Sequence, residues 1–257
     1  MTAWVFCCIL FVAATSSCYG FCQFPPELWC STPDIAEECQ VTNHCQGWTC
    51  LSKVDSKPVD VVVYYESYCI ECNTFFEEHL KQAVNQVGQI MNLKLVPYGD
   101  TEETPNGESW TFICGEGNDQ CKSNILQACA IDLHTNMSVQ YPLVACILTS
   151  NGEPEDNVKQ CALELGGINW ADIIRCSRQG KGPELEHQMA LQTKALEPRE
   201  DAYLPYVTVN GVCSDGITEQ PVTDFINSLC QNYQGPFPYG CRLQISNPAH
   251  TCKKNRK

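Results

Sequence analysis

The sequence predicts an α/β domain that carries a helical, disulfide-rich insertion and is preceded by a small disulfide-stapled module. Three observations predict it. A short β-branched run over residues 59–65 is followed by apolar residues at helical spacing and then by a strand-like stretch over 93–97, a strand–helix–strand unit. Twenty cysteines among 257 residues far exceed ordinary usage. Late in the chain, a proline leads into a β-branched strand over 203–211, and a closing helix follows over 220–230.

The first twenty residues read as a signal peptide. Their apolar stretch, residues 4–14, is too short to span a bilayer, and small residues follow at Ser16, Ser17 and Gly20. Export makes the cysteines disulfide partners rather than metal ligands. Removing residues 1–20 takes away Cys7, Cys8 and Cys18 and leaves an odd number, so one thiol stays free or bridges two chains as a disulfide-linked dimer. Cleavage after Ser16 would keep Cys18 and leave an even number. The net charge of −14 argues against nucleic acid or an anionic membrane surface as partner. A second stretch of 18 apolar residues is lacking, so no membrane span is expected.

Residues 21–51 form the small module. Five cysteines (Cys22, Cys30, Cys39, Cys45 and Cys50) fall within 29 residues, too few to fold on buried surface alone. The order Cys22, Pro25-Pro26, Trp29-Cys30, Ala36, Cys39, Cys45 resembles a saposin A-type module. A polar linker leads to the main domain, residues 58–230. There, 59–65 reads as a fully buried strand. Phe75, Phe76, Leu80, Val84, Val87 and Ile90 mark the buried face of a helix from about 69 to 91. The insertion, about residues 100–183, reads as mostly helical, with one helix around Leu126, Ala130 and Ile131 and another opened by Asn169 as cap. A further helix spans 184–195. Residues 231–257 form a cysteine-containing tail. Asn136-Met-Ser138 is the one glycosylation acceptor in the chain.

Cys69 and Cys72 fall where the first strand gives way to the helix. A helix N-terminus offers unpaired N–H groups and a partial positive charge, and both favour thiolate at Cys69. Cys72, one turn later, is placed to resolve a mixed disulfide. The alternative is one more structural bridge, but the strand–CxxC–helix context favours redox chemistry. A zinc site would need a second ligand pair, and the five histidines do not cluster with this one. In thioredoxin-like folds a cis-proline precedes the third strand and faces the CxxC, its loop offering backbone groups to the substrate. Leu204 and Pro205 occupy that place.

Several motifs together resemble the gamma-interferon-inducible lysosomal thiol reductase (GILT) family. They are Tyr64-Tyr-Glu-Ser-x-Cys-x-x-Cys72, Leu95-Val-Pro-Tyr-Gly99, Phe112-x-Cys114, Cys121-x-x-Asn124-x-x-x-x-Cys129 and Tyr203-x-Pro-x-Val-Thr-Val-Asn-Gly211. One stretch departs from the family signature Cys-Gln-His-Gly-x-x-Glu-Cys: Gly115 and Glu116 replace its Gln-His, and Gln120 replaces its Glu. The resemblance implies a thioredoxin-like fold and a reductase of protein disulfides in an acidic endosome or lysosome, or outside the cell. It also implies that Cys69 attacks and Cys72 releases, with no metal or bound organic cofactor. The reductant would be a small thiol, cysteine or glutathione. Cys114, Cys121 and Cys129 are expected in structural bridges. Two other readings stay open: a disulfide oxidase or isomerase of the secretory pathway, and a secreted disulfide-rich binding protein without catalysis.

Overall fold

A computed structural model describes residues 57–196, 203–213, 220–236 and 238–244. The signal segment, the saposin-like module and the end of the C-terminal tail lie outside the described residues. Those described belong to one compact unit, residues 54–257.

Strand β1 (Val59–Tyr65) leads into a composite helix: α1 (Ile70–Thr74), a π-helical segment (Phe75–Leu80) and α2 (Lys81–Val87). Strand β2 (Met91–Pro97) then returns parallel to β1, with Val59 beside Met91 and Tyr65 beside Pro97. Much later, β5 (Tyr206–Val209) pairs antiparallel with the other edge of β1, and the short β6 (Val212–Cys213) pairs antiparallel with β5. The turn between them is Asn210-Gly211, both at positive φ, 51° and 76°, as a tight hairpin requires. Helix α8 (Val222–Asn232) closes this half. The sheet order β2-β1-β5-β6, made from a βαβ half and a ββα half, is that of a thioredoxin-like fold.

Side chains alternate along β1. Val59, Val61, Val63 and Tyr65 share a core with Phe75, Phe76, Leu80, Phe225, Ile226 and Leu229, so the composite helix and α8 cover one face. Val62 and Tyr64 turn the other way, onto a second cluster with Val96, Tyr98, Ala128, Met189 and Ala190. The strand is therefore not buried throughout. Its second face is only half-buried at Val62 and Tyr64, and Asp60 is exposed.

The insertion contributes Ala128, Met189 and Ala190. It runs past the expected end near residue 183, because the helix expected at 184–195 starts at Lys181, and it holds α3 (Asn118–Leu133), α4 (Met137–Thr149), α5 (Pro154–Leu165), α6 (Trp170–Arg178) and α7 (Lys181–Lys194). Disulfides tie these helices together. Cys129–Cys176 joins α3 to α6, and Cys146–Cys161 joins α4 to α5. Cys114–Cys121 staples the segment before α3 to its first turn, and Cys230–Cys241 joins α8 to α9 (Tyr239–Gln244). Closing the 47-residue separation of the first pair contributes about 4 kcal/mol in the chain-entropy picture.

The insertion is not helical from its start. Glu102–Asn106 (β3) and Ser109–Ile113 (β4) form an antiparallel hairpin. Contacts with α7 hold it. The Trp110 ring stacks on His187 at 3.7 Å, and Glu103 accepts from His187 Nδ1 at 2.9 Å and Lys194 Nζ at 2.8 Å. Burial alone would raise the Glu103 carboxyl, but these two partners outweigh it and hold the group below its usual range.

Beside this ion pair sits Glu186, 1% exposed, with neither carboxyl oxygen hydrogen-bonded. Desolvation, reinforced by the Glu103 charge, pushes its carboxyl well above the usual value. A group whose folded pKa is raised binds its proton more tightly in the folded state. Its contribution is complete below the unfolded pKa and is lost as pH rises toward the folded one. Glu186→Gln, a neutral isostere, is therefore expected to flatten the decline in stability between pH 5 and pH 7.5. Urea midpoints across that range check this. Parallel curves for the two proteins would contradict it.

Candidate active site

Cys69 is the N-cap of α1, with extended backbone at φ −80° and ψ 115°. Its Sγ accepts the Cys72 N–H at 3.1 Å, and its carbonyl accepts the Asn73 N–H at 3.0 Å. This is the geometry by which a side chain at an N-cap satisfies one of the orphan donors of the first turn, with sulfur in place of oxygen. Cys69 and Cys72 are bonded to each other across a Cα separation of 5.2 Å. Cys69 is half-buried while Cys72 is fully enclosed, so an incoming group reaches the first sulfur and not the second. Glu71, between them, is exposed, where water weakens its effect on the sulfur.

The approach to Cys69 is held from the insertion. Ser67, 1% exposed, donates its N–H to Asn124 Oδ1 at 2.9 Å. Its hydroxyl accepts from Gln127 Nε2 at 2.7 Å, and Gln127 Oε1 accepts from the Tyr65 hydroxyl at 2.9 Å. Asn124 Nδ2 donates to the Tyr98 carbonyl at 3.5 Å, at the end of β2. Tyr68 then turns the chain at φ 65°, and Cys69 follows. Helix α3 thus fixes the segment between β1 and the pair through two fully buried amides. Asn124 stands in a motif of the sequence. Ser67 stands in another, but Gln127 carries no signal there, and the pairing of the two spans 60 residues.

Glu66 sits beside this segment, over Gly99. Its carboxylate accepts the Asp100 N–H at 3.0 Å. Gly99 has φ +62°, and a Cβ there would lie 2.2 Å from the Glu66 carboxylate, so both backbone conformation and space require glycine. Burial raises the Glu66 carboxyl, while the Asp100 N–H and the Gln120 side chain pull it back. Gln120, buried, also accepts the Glu116 N–H at 2.7 Å. In this chain, therefore, a neutral amide connects Glu66 with the loop at Gly115 and Glu116.

The Leu204–Pro205 bond is cis. The last β1–β5 pair is Tyr64 with Tyr206. One step further along that register, the buried Pro205 comes beside Tyr65, at the end of β1 from which Cys69 emerges. Tyr203, next to this loop, is 83% exposed, and Ile70, next to Cys69, is 75% exposed. Asn136 is exposed on the N-cap of α4, where its Oδ1 accepts the Ser138 N–H at 2.9 Å. Among the described residues, no group of three or more His, Cys, Asp or Glu could hold a metal ion.

Residues 60–165 match the family model described as gamma interferon inducible lysosomal thiol reductase (GILT). A gamma-interferon-inducible lysosomal thiol reductase of Carassius auratus is 31% identical over 221 residues, 86% of this chain and 84% of that one. The chain belongs to the GILT family. The mouse protein of the same name is 30% identical over 204 residues, covering 77% of this chain and 78% of that one. Among solved structures, Chlamydia trachomatis DsbA aligns at a TM-score of 0.49 and 15% identity, over 68% of this chain and 86% of that one. The fold assignment of this GILT-family chain rests on its own strand order and not on that alignment. Its Cys-x-x-Cys, Asn124 and Pro205 loop meet at one end of β1.

Asn124→Ala is expected to cost about 1–3 kcal/mol, because it strands the buried Ser67 N–H without an acceptor. Urea denaturation reads the loss. A change below about 0.5 kcal/mol, within the range of ordinary surface substitutions, would show that water reaches that N–H.

Proposed function

We propose that this GILT-family oxidoreductase reduces disulfide bonds of protein substrates in an acidic endosomal or lysosomal compartment through Cys69 and Cys72. The carrying observation is the half-buried Cys69 sulfur, which accepts the Cys72 N–H beside an enclosed partner thiol. In the reduced pair, the Cys69 thiolate attacks one sulfur of the substrate disulfide. A Cys69–substrate bond forms, and the other substrate sulfur departs as thiolate and takes up a proton. Cys72, deprotonated, then attacks Cys69 Sγ, forming the Cys69–Cys72 disulfide and expelling the second substrate sulfur as thiolate. The substrate gains two electrons and the pair loses two. Two equivalents of a small thiol such as cysteine or glutathione restore the pair and leave as their own disulfide.

Acid makes this demanding. A thiol of ordinary pKa, about 8.5, is only about one part in ten thousand thiolate at pH 4.5. The N–H donated to Cys69 Sγ and the start of the helix both act to lower that pKa. The Leu204–Pro205 loop supports a role in receiving an extended substrate chain. The exposed Ile70 and Tyr203 beside Cys69 and that loop favour apolar segments of such a chain.

Two exchanges separate the roles of the cysteines. Cys69→Ser is expected to abolish reductase activity. Cys72→Ser is expected to accumulate a mixed disulfide through Cys69, seen as a covalent adduct on non-reducing gels and in intact mass. Activity retained in Cys69→Ser would leave a binding protein as the reading. A potential for the pair near about −270 mV fits a reductant, and one near about −120 mV would point to an oxidase.

The N-terminal segment and the disulfides favour export, and with it glycosylation at Asn136. One glycan removable by amidase treatment, and absent from Asn136→Gln, is the expected result. An unshifted mass after treatment would exclude it.

A further inference from the structure

The composite helix that begins at Cys69 carries an extra residue. Val87, at its far end, follows Cys69 by 18 residues, or five turns at about 3.6 residues each. In an unbroken α-helix Cys69 would therefore lie on the same stripe as Val87, which is fully buried in the core. Cys69 is instead half-buried. The π segment Phe75–Leu80 accounts for the difference. An i→i+5 turn takes in one residue more than an α turn, so it sets the helix on its two sides out of phase by roughly 100°. That rotation carries Cys69 off the buried stripe. Cys72, about 60° round on the other side of the stripe in α geometry, is carried across it and stays fully buried.

Backbone bonding does not choose where the extra residue sits, because the ladder is as complete with the wide turn one residue earlier or later. Side chains choose. In the wide turn the Phe76 carbonyl accepts the Lys81 N–H and, with its second lone pair, the Tyr141 hydroxyl at 3.1 Å. Tyr141 is buried on α4, and its ring stacks on Phe76 at 6.3 Å. Burial raises its phenol, so the hydroxyl keeps its proton to donate. On the opposite side His79 Nε2 donates to the Gln220 carbonyl at 2.9 Å, whereas Tyr141 bonds to the ladder itself. We propose that Tyr141 is a positioning residue for the Cys-x-x-Cys pair: by bonding the Phe76 carbonyl it fixes the wide turn at Phe75–Leu80, and with it the phase that presents Cys69 and encloses Cys72. The catalytic consequence rests on the reading of Cys69 as the attacking thiol; the phase of the helix does not.

The test compares the two thiols of the pair. The reduced protein is treated with limiting iodoacetamide, and the modified cysteine is located by fragment-ion mass. In the parent, Cys69 is expected to be modified ahead of Cys72. Tyr141→Phe keeps the ring on Phe76 and removes only the hydroxyl. Its Cys69-to-Cys72 ratio is expected to fall about fivefold, the shift that loss of one net hydrogen bond allows. A role confined to stability would lower the urea midpoint and leave the ratio where it was, and that result overturns the proposal. Deleting Glu78, exposed in the π segment, restores an α phase and is expected to protect Cys69 from alkylation. A folded deletion protein whose Cys69 reacts as in the parent also overturns the proposal; should the deletion not fold, Tyr141→Phe decides alone. A parent without preference for Cys69 overturns the reading of Cys69 as the attacking thiol and the positioning role with it. A selective parent with an unchanged Tyr141→Phe overturns the positioning role alone.

Discussion

The Gln127 side chain, buried between the end of β1 and helix α3, is the constraint on which the Cys-x-x-Cys end of the domain depends. It accepts from Tyr65 and donates to Ser67, so one amide fixes two residues of the same strand end in opposite hydrogen-bonding senses. With Asn124 holding the Ser67 N–H, the segment that launches Cys69 has its buried polar groups paired with the insertion. Each bond is worth about 1 kcal/mol net, but an unpaired buried partner costs about 1–3 kcal/mol, so the network specifies geometry more than it adds stability. The four-stranded sheet supplies the strand end, and the helical insertion decides where that end points.

The same insertion explains why the composite helix departs from α geometry. Across Phe75–Leu80 the ladder widens, with Lys81 N–H reaching the Phe76 carbonyl. The Tyr141 hydroxyl of α4 donates to that same carbonyl at 3.1 Å. A side-chain donor entering the ladder is a recognised companion of such widening. Tyr141 also stacks on Phe76, which in turn packs on Tyr65, so α4, the π segment and the end of β1 form one contact chain. Phe75, on the other side of the segment, meets Phe225 of α8. The helix that starts at the Cys69–Cys72 pair is thus gripped from the insertion and from the closing helix within one turn of Cys72.

Much of this was readable from residue patterns, and what was not has a common cause. The β-branched run gave β1 to the residue, and the apolar spacing gave the helix after it, because both depend on local periodicity. The CxxC and the Pro205 loop were readable as motifs, and the described structure brings them to one end of β1. The hairpin of Glu102–Asn106 and Ser109–Ile113 was missed. Its first strand, Glu-Glu-Thr-Pro-Asn, is charged and carries a proline, which reads as loop. Stacking of Trp110 on His187 and the bonds from His187 and Lys194 to Glu103 hold it, across 77 to 91 residues of sequence. Ser67 was readable as a motif residue, but its pairing with Gln127 was not, for the same reason: neither a serine after a strand nor a glutamine in a helix announces a partner. The replacement of the family Gln-His and Glu by Gly115, Glu116 and Gln120 was visible in the sequence. Its consequence, a neutral amide beside Glu66, needed the fold.

That neutral amide fits a wider pattern in how this chain meets acid. The groups that hydrogen-bond Cys69 and hold its approach do not titrate in the acidic range. They are a backbone N–H at its sulfur, another at its carbonyl, and the buried amides of Asn124 and Gln127 behind it. A neighbouring histidine or carboxylate would change its effect on the thiolate as pH falls, whereas a peptide N–H donates equally at pH 4 and pH 8. The titratable groups with raised carboxyls stand one step away, Glu66 behind Gln120 and Glu186 behind Tyr65, and both become neutral more readily than an exposed carboxyl does. Protonation of Glu186 relieves a buried charge without removing a hydrogen bond, because neither of its oxygens accepts one. Acid therefore stabilises the scaffold at that position and leaves the donors around Cys69 as they were. A pair held this way keeps the hydrogen bonds at the Cys69 sulfur and carbonyl as pH falls.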